Sequence, residues 1–167
     1  SSLYFPAGHP SGFEMWNSVR SRLFGAIARV DSSTSWPSSY VQRARSVVLA
    51  DDQAAILAVL AKLLQTEFEV VATVRDGRAL VDAVARVSPD AIVTDITMPF
   101  LDGIEAAREI LGRNPSARVV FVTVHADPLL MRRGLAVGGL GYVPKASAGE
   151  ELVLAVRAAL RGERWCL

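Results

Sequence analysis

The chain has 167 residues, of which 51% are hydrophobic and 21% charged, and its formal net charge is +1. This length suits one domain with a tail. The near-zero charge excludes proteins that bind nucleic acid or anionic membranes through a strong overall field. A single cysteine, Cys166, excludes an internal disulfide and suits a reducing compartment. Because no apolar run approaches transmembrane length and no secretory signal is evident, we expect a cytoplasmic protein without a membrane partner.

Residues 1–45 differ in composition from the rest of the chain, with two Trp, three Pro and several Ser. We interpret them as an N-terminal extension or linker of unassigned role, partly vector-derived or disordered. The alternative is an amphipathic helix over residues 13–29, whose apolar positions have approximate helical spacing. Such a helix would bind a partner, the chain's own domain or a membrane surface.

From residue 46 onward, short apolar runs alternate with amphipathic stretches. Apolar runs predict five strands at residues 46–50, 68–74, 91–94, 118–123 and 142–143. Helical periodicity predicts five helices at about residues 53–65, 77–87, 104–111, 128–137 and 148–161. Asp127 with Pro128 is a typical helix start, and Ser147 with Glu150 has the spacing of a capping box.

The strands are continuous apolar runs rather than alternating ones, which indicates a parallel sheet covered on both faces. The predicted fold class is therefore α/β, a doubly wound five-stranded parallel sheet. Right-handed crossovers leave few topologies open to it.

Polar side chains lie at the carboxyl ends of four of the five predicted strands. Asp51 and Asp52 follow the first, Asp95 the third and Lys145 the fifth, while Thr123 ends the fourth. Because the carboxyl ends of parallel strands share one edge, we expect these groups to meet where open α/β sheets bind their ligands. Taken singly, each has an ordinary structural explanation, such as a solvated turn or a surface charge. Their joint occurrence in this order makes that explanation insufficient.

Metal-assisted phosphoryl transfer suits this set of groups. Close carboxylates repel one another, and a hard dication such as Mg²⁺ relieves the repulsion while retaining several waters. The same ion neutralises an incoming phosphoryl group, and an ionised Asp can attack its phosphorus. Lys145 can contact one phosphoryl oxygen, and the Thr123 hydroxyl can donate to another.

The region 46–163 resembles the receiver domain of bacterial two-component response regulators, of the NarL/FixJ group that carries a LuxR-type DNA-binding domain. The resemblance rests on the stretches Leu49-Ala50-Asp51-Asp52, Asp95-Ile96-Thr97-Met98-Pro99-Phe100-Leu101-Asp102-Gly103, Thr123-Val124-His125 and Gly141-Tyr142-Val143-Pro144-Lys145-Ala146. It implies a flavodoxin-like, CheY-like fold with strand order 2-1-3-4-5.

The same resemblance implies a role for each matching residue. Asp95 corresponds to the phosphoacceptor and also to a metal ligand. Asp52 corresponds to a direct ligand of Mg²⁺ or Mn²⁺, Asp51 to a ligand acting through water, and Thr97 to a ligand through its backbone carbonyl. Lys145 corresponds to the basic contact of the phosphoryl group.

Two further residues correspond to a conformational switch. The hydroxyl of Thr123 would move toward the phosphoryl group while the ring of Tyr142 rotates inward. The chain also departs from the family pattern. Gly138-Gly139 stands where small residues with Ala are usual, so we expect a looser end to the fourth helix, and Ala146 replaces the Pro that often follows the Lys.

The resemblance implies three segments: an N-terminal extension over 1–45, a receiver over 46–163 and the start of a linker at 164–167 to an output domain absent from this chain. It implies a sensor histidine kinase as partner, and DNA only through that output domain. A homodimer would use the face of helix four, strand five and helix five, or helix five alone. In this scheme the chain is a signalling domain that catalyses only its own phosphorylation and dephosphorylation.

Two other functions remain open at this point. One is a phosphorylation-independent interaction or dimerisation module, which tends to lose an acid or the Lys of the site. The other is a hydrolase of the aspartyl-phosphate type. A hydrolase needs a second acid two residues after the nucleophile, where this chain has Thr97.

Overall fold

The computed structural model describes residues 43–124 and 127–165. The predicted helix at 13–29, and His125, to which no ligand role was assigned, lie outside these residues. The described strands are β1 (Ser46–Ala50), β2 (Glu69–Val74), β3 (Ala91–Asp95), β4 (Val119–Thr123) and β5 (Gly141–Pro144). The described α-helices are α1 (Ala54–Leu64), α2 (Gly77–Val87), α3 (Gly103–Arg113), α4 (Pro128–Ala136) and α5 (Ala148–Leu160), with a 3₁₀ turn at Lys145–Ser147.

The five strands form one parallel sheet in the order β2-β1-β3-β4-β5, which confirms the predicted fold class and strand order. β1, β3 and β4 are buried along their whole length, as continuous apolar runs indicate. The expectation of a continuous buried run is wrong for β2, whose residues alternate between exposed and half-buried. The reason is its place at the sheet edge, which the apolar pattern of the strand itself does not reveal.

Each face of the sheet carries its own hydrophobic cluster. The first cluster packs α1 and α5 against side chains such as Val47, Val93 and Val143. The second packs α2, α3 and α4 against the other face, around Ile92 and Phe121. Both faces are therefore covered, so polar groups can gather only at the ends of the strands.

Capping explains where three of the helices begin. Asp76, Asp102 and Asp127 each accept a hydrogen bond from a backbone N–H in the first turn of α2, α3 and α4, respectively. The predicted Asp127–Pro128 start is confirmed. The capping box at Ser147 is wrong, because the Ser147 hydroxyl donates instead to the carbonyl of Pro144 at 3.2 Å. The 3₁₀ turn that precedes α5 holds Ser147 away from the extended conformation that a capping residue needs.

The end of α4 is regular rather than loose. Gly138 has a φ of +107°, and its N–H donates to the carbonyl of Leu135 at 3.1 Å. The N–H of Gly139 donates to the carbonyl of Gly134 at 3.0 Å, which completes a Schellman motif. A Cβ at Gly139 would lie 2.5 Å from the ring of Phe121, so this position must be glycine for α4 to approach the sheet.

Candidate functional site

The carboxyl edge of the sheet brings three carboxylates together. Asp51 follows β1, Asp52 is next to it, and Asp95 ends the neighbouring strand β3. One oxygen from each lies within 4.8 Å of the others. Asp51 is fully buried, Asp95 is 4% exposed and Asp52 is half-buried. The predicted meeting of these three residues is confirmed, and the strand order 2-1-3 is its cause.

Lys145 reaches this cluster from the turn after β5. Its Nζ lies 2.6 Å from Oδ2 of Asp51 and 2.9 Å from Oδ2 of Asp95, and its side chain is only 8% exposed. Burial alone would lower the pKa of Lys145, but its ion pairs with Asp51 and Asp95 outweigh burial and raise that pKa. Lys145 is therefore a permanent cation between two buried acids.

Asp95 is held in a single orientation by its own loop. Its Oδ1 accepts the N–H of Ile96 at 2.7 Å and the N–H of Thr97 at 3.4 Å, while Oδ2 faces Lys145. Burial raises the pKa of Asp95, and the charge of Asp51 adds to this, against the opposing effect of Lys145. A carboxylate with a raised pKa is more basic than a solvated one, which suits a nucleophile.

Gly103 shapes the loop that follows Asp95. A Cβ at this position would lie 1.9 Å from the backbone carbonyl oxygen of Asp95, and the Gly103 N–H donates to the carbonyl of Ile96 at 2.8 Å. In the structure Asp102 caps α3 and Gly103 is the first helical residue, so the glycine lets the helix begin directly against the site.

Thr123 ends β4, and Tyr142 is the second residue of the neighbouring strand β5, paired with Phe121. The hydroxyl-bearing Thr123 is fully buried, and Tyr142 is 5% exposed. Burial raises the pKa of the Tyr142 hydroxyl, the charge of Asp127 raises it further, and hydrogen bonds with the Asp127 backbone and with Thr123 oppose the change. The two predicted switch residues are thus hydrogen-bonding partners, and the Tyr142 ring is inside the protein.

Two residues that the sequence analysis did not identify form hydrogen bonds with Asp51 and Asp52. The N–H of Gln53 donates to Oδ1 of Asp51 at 2.9 Å. Nε and Nη2 of Arg75 donate to the backbone carbonyl of Asp52 at 3.1 and 2.8 Å. Arg75 follows β2, which neighbours β1, so the position of a basic residue after a strand was an available signal.

The loop after Asp95 also contains an exposed aromatic residue that sequence analysis did not single out. Phe100 is 92% exposed and has a φ of +65°, in the left-handed region. Together with Asp52, Arg75, Asp76 and Pro99 it lines an open groove of about 280 Å³ beside the carboxylates.

The donor set fits a hard divalent cation. Carboxylate oxygens are the ligands that Mg²⁺ and Mn²⁺ prefer, and three acids with one ammonium carry a formal charge of about −2, opposite to that of the ion. Asp52 is the most accessible of the three acids, and its carboxylate is not ion-paired with Lys145. The residues present therefore fit a metal centre that includes Asp52 and Asp95.

A five-stranded parallel sheet with three acids and a lysine at its carboxyl edge defines an α/β protein whose site suits a divalent cation and a phosphoryl group. Residues 47–157 match the family model of the response regulator receiver domain. The chain belongs to this family, which confirms the resemblance inferred from the motifs.

Individual relatives give the same assignment. The transcriptional regulatory protein DesR of Bacillus subtilis is 36% identical over 121 residues, which are 71% of this chain and 60% of DesR. The transcriptional regulatory protein DegU of Brevibacillus brevis is 33% identical over 118 residues, covering 70% of this chain and 50% of DegU. The chain thus spans between half and three fifths of the length of these two relatives.

A solved structure is similar over the same region. The two-component response regulator of the LuxR family from Aurantimonas sp. SI85-9A1 superposes with a TM-score of 0.71 at 30% sequence identity. The match covers 74% of this chain and 90% of the other. In the part of this chain that the structure describes, no helix has the length and apolar character needed to cross a bilayer.

Proposed function

We propose that Asp95 accepts a phosphoryl group from a phosphohistidine of a sensor histidine kinase. The observation that carries this proposal is the position of Lys145, whose ammonium lies within 3 Å of carboxylate oxygens on both Asp51 and Asp95. A buried lysine shared by two acids is costly to assemble. Its use is to meet the additional negative charge that arrives with a phosphoryl group, which carries on the order of −2 when bound to a side chain.

The reaction at Asp95 is a displacement at phosphorus. A carboxylate oxygen of Asp95 forms the new P–O bond, the P–N bond to the donor imidazole breaks, and the electron pair remains on the imidazole nitrogen. The hydrogen bonds of Ile96 and Thr97 to Oδ1 hold the carboxylate still, which lowers the entropic cost of the attack. Lys145 then contacts a phosphoryl oxygen in place of the Asp95 carboxylate.

Mg²⁺ or Mn²⁺ would be held by Asp52 and Asp95 directly, by Asp51 through water and by the backbone carbonyl of Thr97. A cation bound there supplies charge stabilisation for the equatorial phosphoryl oxygens. Support comes from the mutual proximity of the three acids and from their oxygen-only donor set.

Thr123 and Tyr142 form the proposed switch. The Thr123 hydroxyl donates to a phosphoryl oxygen, and the Tyr142 ring is retained inside as Thr123 moves. Phosphorylation would thus shift an existing equilibrium between ring positions. The burial of both residues and their mutual hydrogen bond support this assignment.

The signal would pass to a DNA-binding domain that follows the receiver in a longer cytoplasmic protein. Support comes from DesR and DegU, which are transcriptional regulatory proteins longer than the region they share with this chain. We propose the segments 1–45, 46–163 and 164–167 as extension, receiver and start of a linker. A homodimer through the face of α4, β5 and α5, or through α5 alone, would present two such domains to DNA. The receiver itself would act as a phosphoacceptor and not as an enzyme on another substrate.

The experiment that tests the proposed function uses a small phosphodonor, so that no cognate kinase is required. Incubation with acetyl phosphate and Mg²⁺ should yield a phosphoprotein, detected by intact-mass spectrometry, with the adduct located at Asp95. Chelation of Mg²⁺ should prevent it. Beryllofluoride with Mg²⁺ should shift the amide resonances of residues 95–97 and 123. A protein that shows neither the adduct nor the shifts would instead be the phosphorylation-independent interaction module, and repeated turnover of acetyl phosphate would indicate the hydrolase.

A further inference from the structure

The short segment after α5 returns to the sheet and lies along the outer edge of β5. The chain turns at Gly162, which has a φ of +77°, and Trp165 then forms a parallel bridge with Gly141. The N–H of Trp165 donates to the carbonyl of Leu140 at 2.7 Å, and the N–H of Tyr142 donates to the carbonyl of Trp165 at 2.9 Å. Residues 163–165, called here the exit segment, thus cover this edge of the sheet.

The docking of the exit segment combines favourable contacts with one unfavourable feature. Two backbone hydrogen bonds and the packing of the Trp165 ring against the cluster of α1 and α5 favour it. Against this, the indole Nε1 of Trp165 is buried without a hydrogen-bond partner among the described residues. The desolvation cost of an unpaired buried donor is comparable with the gain from two hydrogen bonds. The packing of the Trp165 ring then remains as the net gain, so a change at β5 that displaces the ring or its backbone partners releases the segment.

Tyr142 connects this edge to the phosphoacceptor site. Its backbone N–H holds Trp165, while its ring packs in the second cluster, with Phe121, on the opposite face of the sheet. A side chain on the last strand of a sheet has rotamers that lean inward over the neighbouring strand or outward past the edge. The edge past β5 is the one that the exit segment occupies, so an outward ring competes with docking and an inward ring does not.

We propose that the exit segment is a latch controlled by Tyr142. Phosphorylation of Asp95 draws the Thr123 hydroxyl toward the site and holds the Tyr142 ring inward, which keeps the edge of β5 free and favours docking of residues 163–165. The point from which the chain leaves the receiver then becomes ordered beside β5, which places a following domain in one position. This inference rests on the proposed function, because it takes the phosphoryl group at Asp95 as the signal that the latch detects.

Amide hydrogen exchange of the whole chain tests the latch, measured by NMR with and without beryllofluoride and Mg²⁺. Slower exchange at Tyr142 and Trp165, by about fivefold or more, is the expected result for a coupling at the lower end of the usual allosteric range. In Tyr142→Leu, which keeps an apolar side chain, exchange at Trp165 should no longer respond, while the amides of residues 95–97 still shift.

Because coupling between the two sites is reciprocal, a second experiment measures binding at the Asp95 site instead of exchange in the exit segment. Trp165→Ala should weaken beryllofluoride binding by the same factor by which beryllofluoride slows exchange at Trp165 in the wild type. Leu154→Ala is the matched control, since this α5 side chain is 41% exposed and belongs to neither hydrophobic cluster, and it should leave the affinity unchanged.

The outcomes separate the latch from the proposed function. If the amides of residues 95–97 shift while Tyr142 and Trp165 exchange at their former rates, the latch is wrong and the proposed function stands. Faster exchange at Trp165 would overturn the latch as well, because the segment would be released rather than docked. Absence of any shift near Asp95 would overturn the proposed function and the latch together.

Discussion

Two aspartates at the opposite ends of β3 have opposite electrostatics. Asp90 precedes the strand, and its carboxylate accepts the N–H of Ser46 at 2.8 Å, the hydroxyl of Ser46 at 3.0 Å and Nη1 of Arg45 at 3.1 Å. Those hydrogen bonds, led by the backbone N–H of Ser46, lower the pKa of Asp90. Asp95 ends the strand, and there burial and a second acid raise the pKa.

The difference separates a structural acid from a functional one. The charge of Asp90 is stabilised by donors from Arg45 and Ser46 at the start of β1, so ionisation stabilises the fold and ties β3 to β1. The charge of Asp95 is stabilised by Lys145 and by the N–H of Ile96, but burial outweighs both and the charge of Asp51 adds to its effect, so ionisation costs stability. The amino edge of the sheet therefore holds the fold together, and the carboxyl edge keeps unfavourable charge in place for chemistry.

The largest effect is expected from removing the charge of Asp95. Asp95→Asn should abolish phosphoryl acceptance from acetyl phosphate, because the amide is not a nucleophile. It should also raise the free energy of unfolding by about 1 kcal/mol, since Lys145 retains Asp51 and one buried charge is relieved. Urea unfolding measures the change in stability, and intact-mass spectrometry measures phosphorylation. A destabilised Asp95→Asn protein would contradict the contrast drawn between Asp90 and Asp95.

The second effect concerns the metal. Asp52→Ala should weaken Mg²⁺ binding by about tenfold or more while preserving the fold, because its side chain is half-buried and holds no element in place. Titration with Mg²⁺ followed by NMR measures the affinity. Thr97→Ala is the matched control, since Thr97 would bind through its backbone carbonyl. Equal losses in the two variants would argue against a direct ligand role for Asp52.

The third effect tests the other end of β3. Asp90→Ala should lower the free energy of unfolding by about 1–2 kcal/mol, because three donors lose a charged acceptor at a site only partly screened by water. Phosphorylation at Asp95 should continue. Asp82→Ala on the exposed side of α2 is the control and should change stability by no more than about 0.5 kcal/mol. Urea unfolding and acetyl phosphate labelling check both statements.

The fourth effect is the pH dependence of these differences. The pKa of Asp90 is lowered in the folded protein, so its ionised carboxylate contributes to the free energy of unfolding above pH 3.8. That contribution is lost as the pH falls through the pKa of Asp90 in the folded protein. The pKa of Asp95 is raised, so this carboxyl group stays protonated in the folded protein above pH 3.8. The free energy of unfolding therefore falls as the pH rises through the pKa of Asp95 in the folded protein. Urea unfolding between acid and neutral pH should show both the deficit of Asp90→Ala and the advantage of Asp95→Asn shrinking toward acid pH.

The smallest effect comes from the loop after Asp95. Phe100→Asn should raise the free energy of unfolding by about 0.5–1 kcal/mol, because Asn tolerates the left-handed backbone better than Phe, whose ring is almost fully exposed and contributes little packing. Phe100→Leu should give no gain, since Leu meets the same strain. Thermal unfolding in the absence of Mg²⁺ compares the wild type with the two variants. A stability gain in Phe100→Leu would show that the exposed ring, and not the left-handed backbone, destabilises the wild type.

Much of the fold and site could be predicted because the relevant signals are local. Apolar runs located β1, β3 and β4, and the acids placed after strands predicted the cluster of Asp51, Asp52 and Asp95. The edge position of β2 could not be predicted in this way, because the burial of a strand depends on its neighbours in space. The false capping box at Ser147 has a similar cause, since the preceding 3₁₀ turn engages that hydroxyl.

The sequence by itself determined the alternation of strands and helices, the cap at Asp127, and which acids and lysine are available. These features depend on side-chain type and short spacing along the chain. Only the tertiary structure decided that Arg75 supports Asp52, that Gly103 lies against the carbonyl of Asp95 and that Trp165 pairs with β5. Such contacts join segments far apart in the chain, and their energies depend on distances that no local pattern encodes.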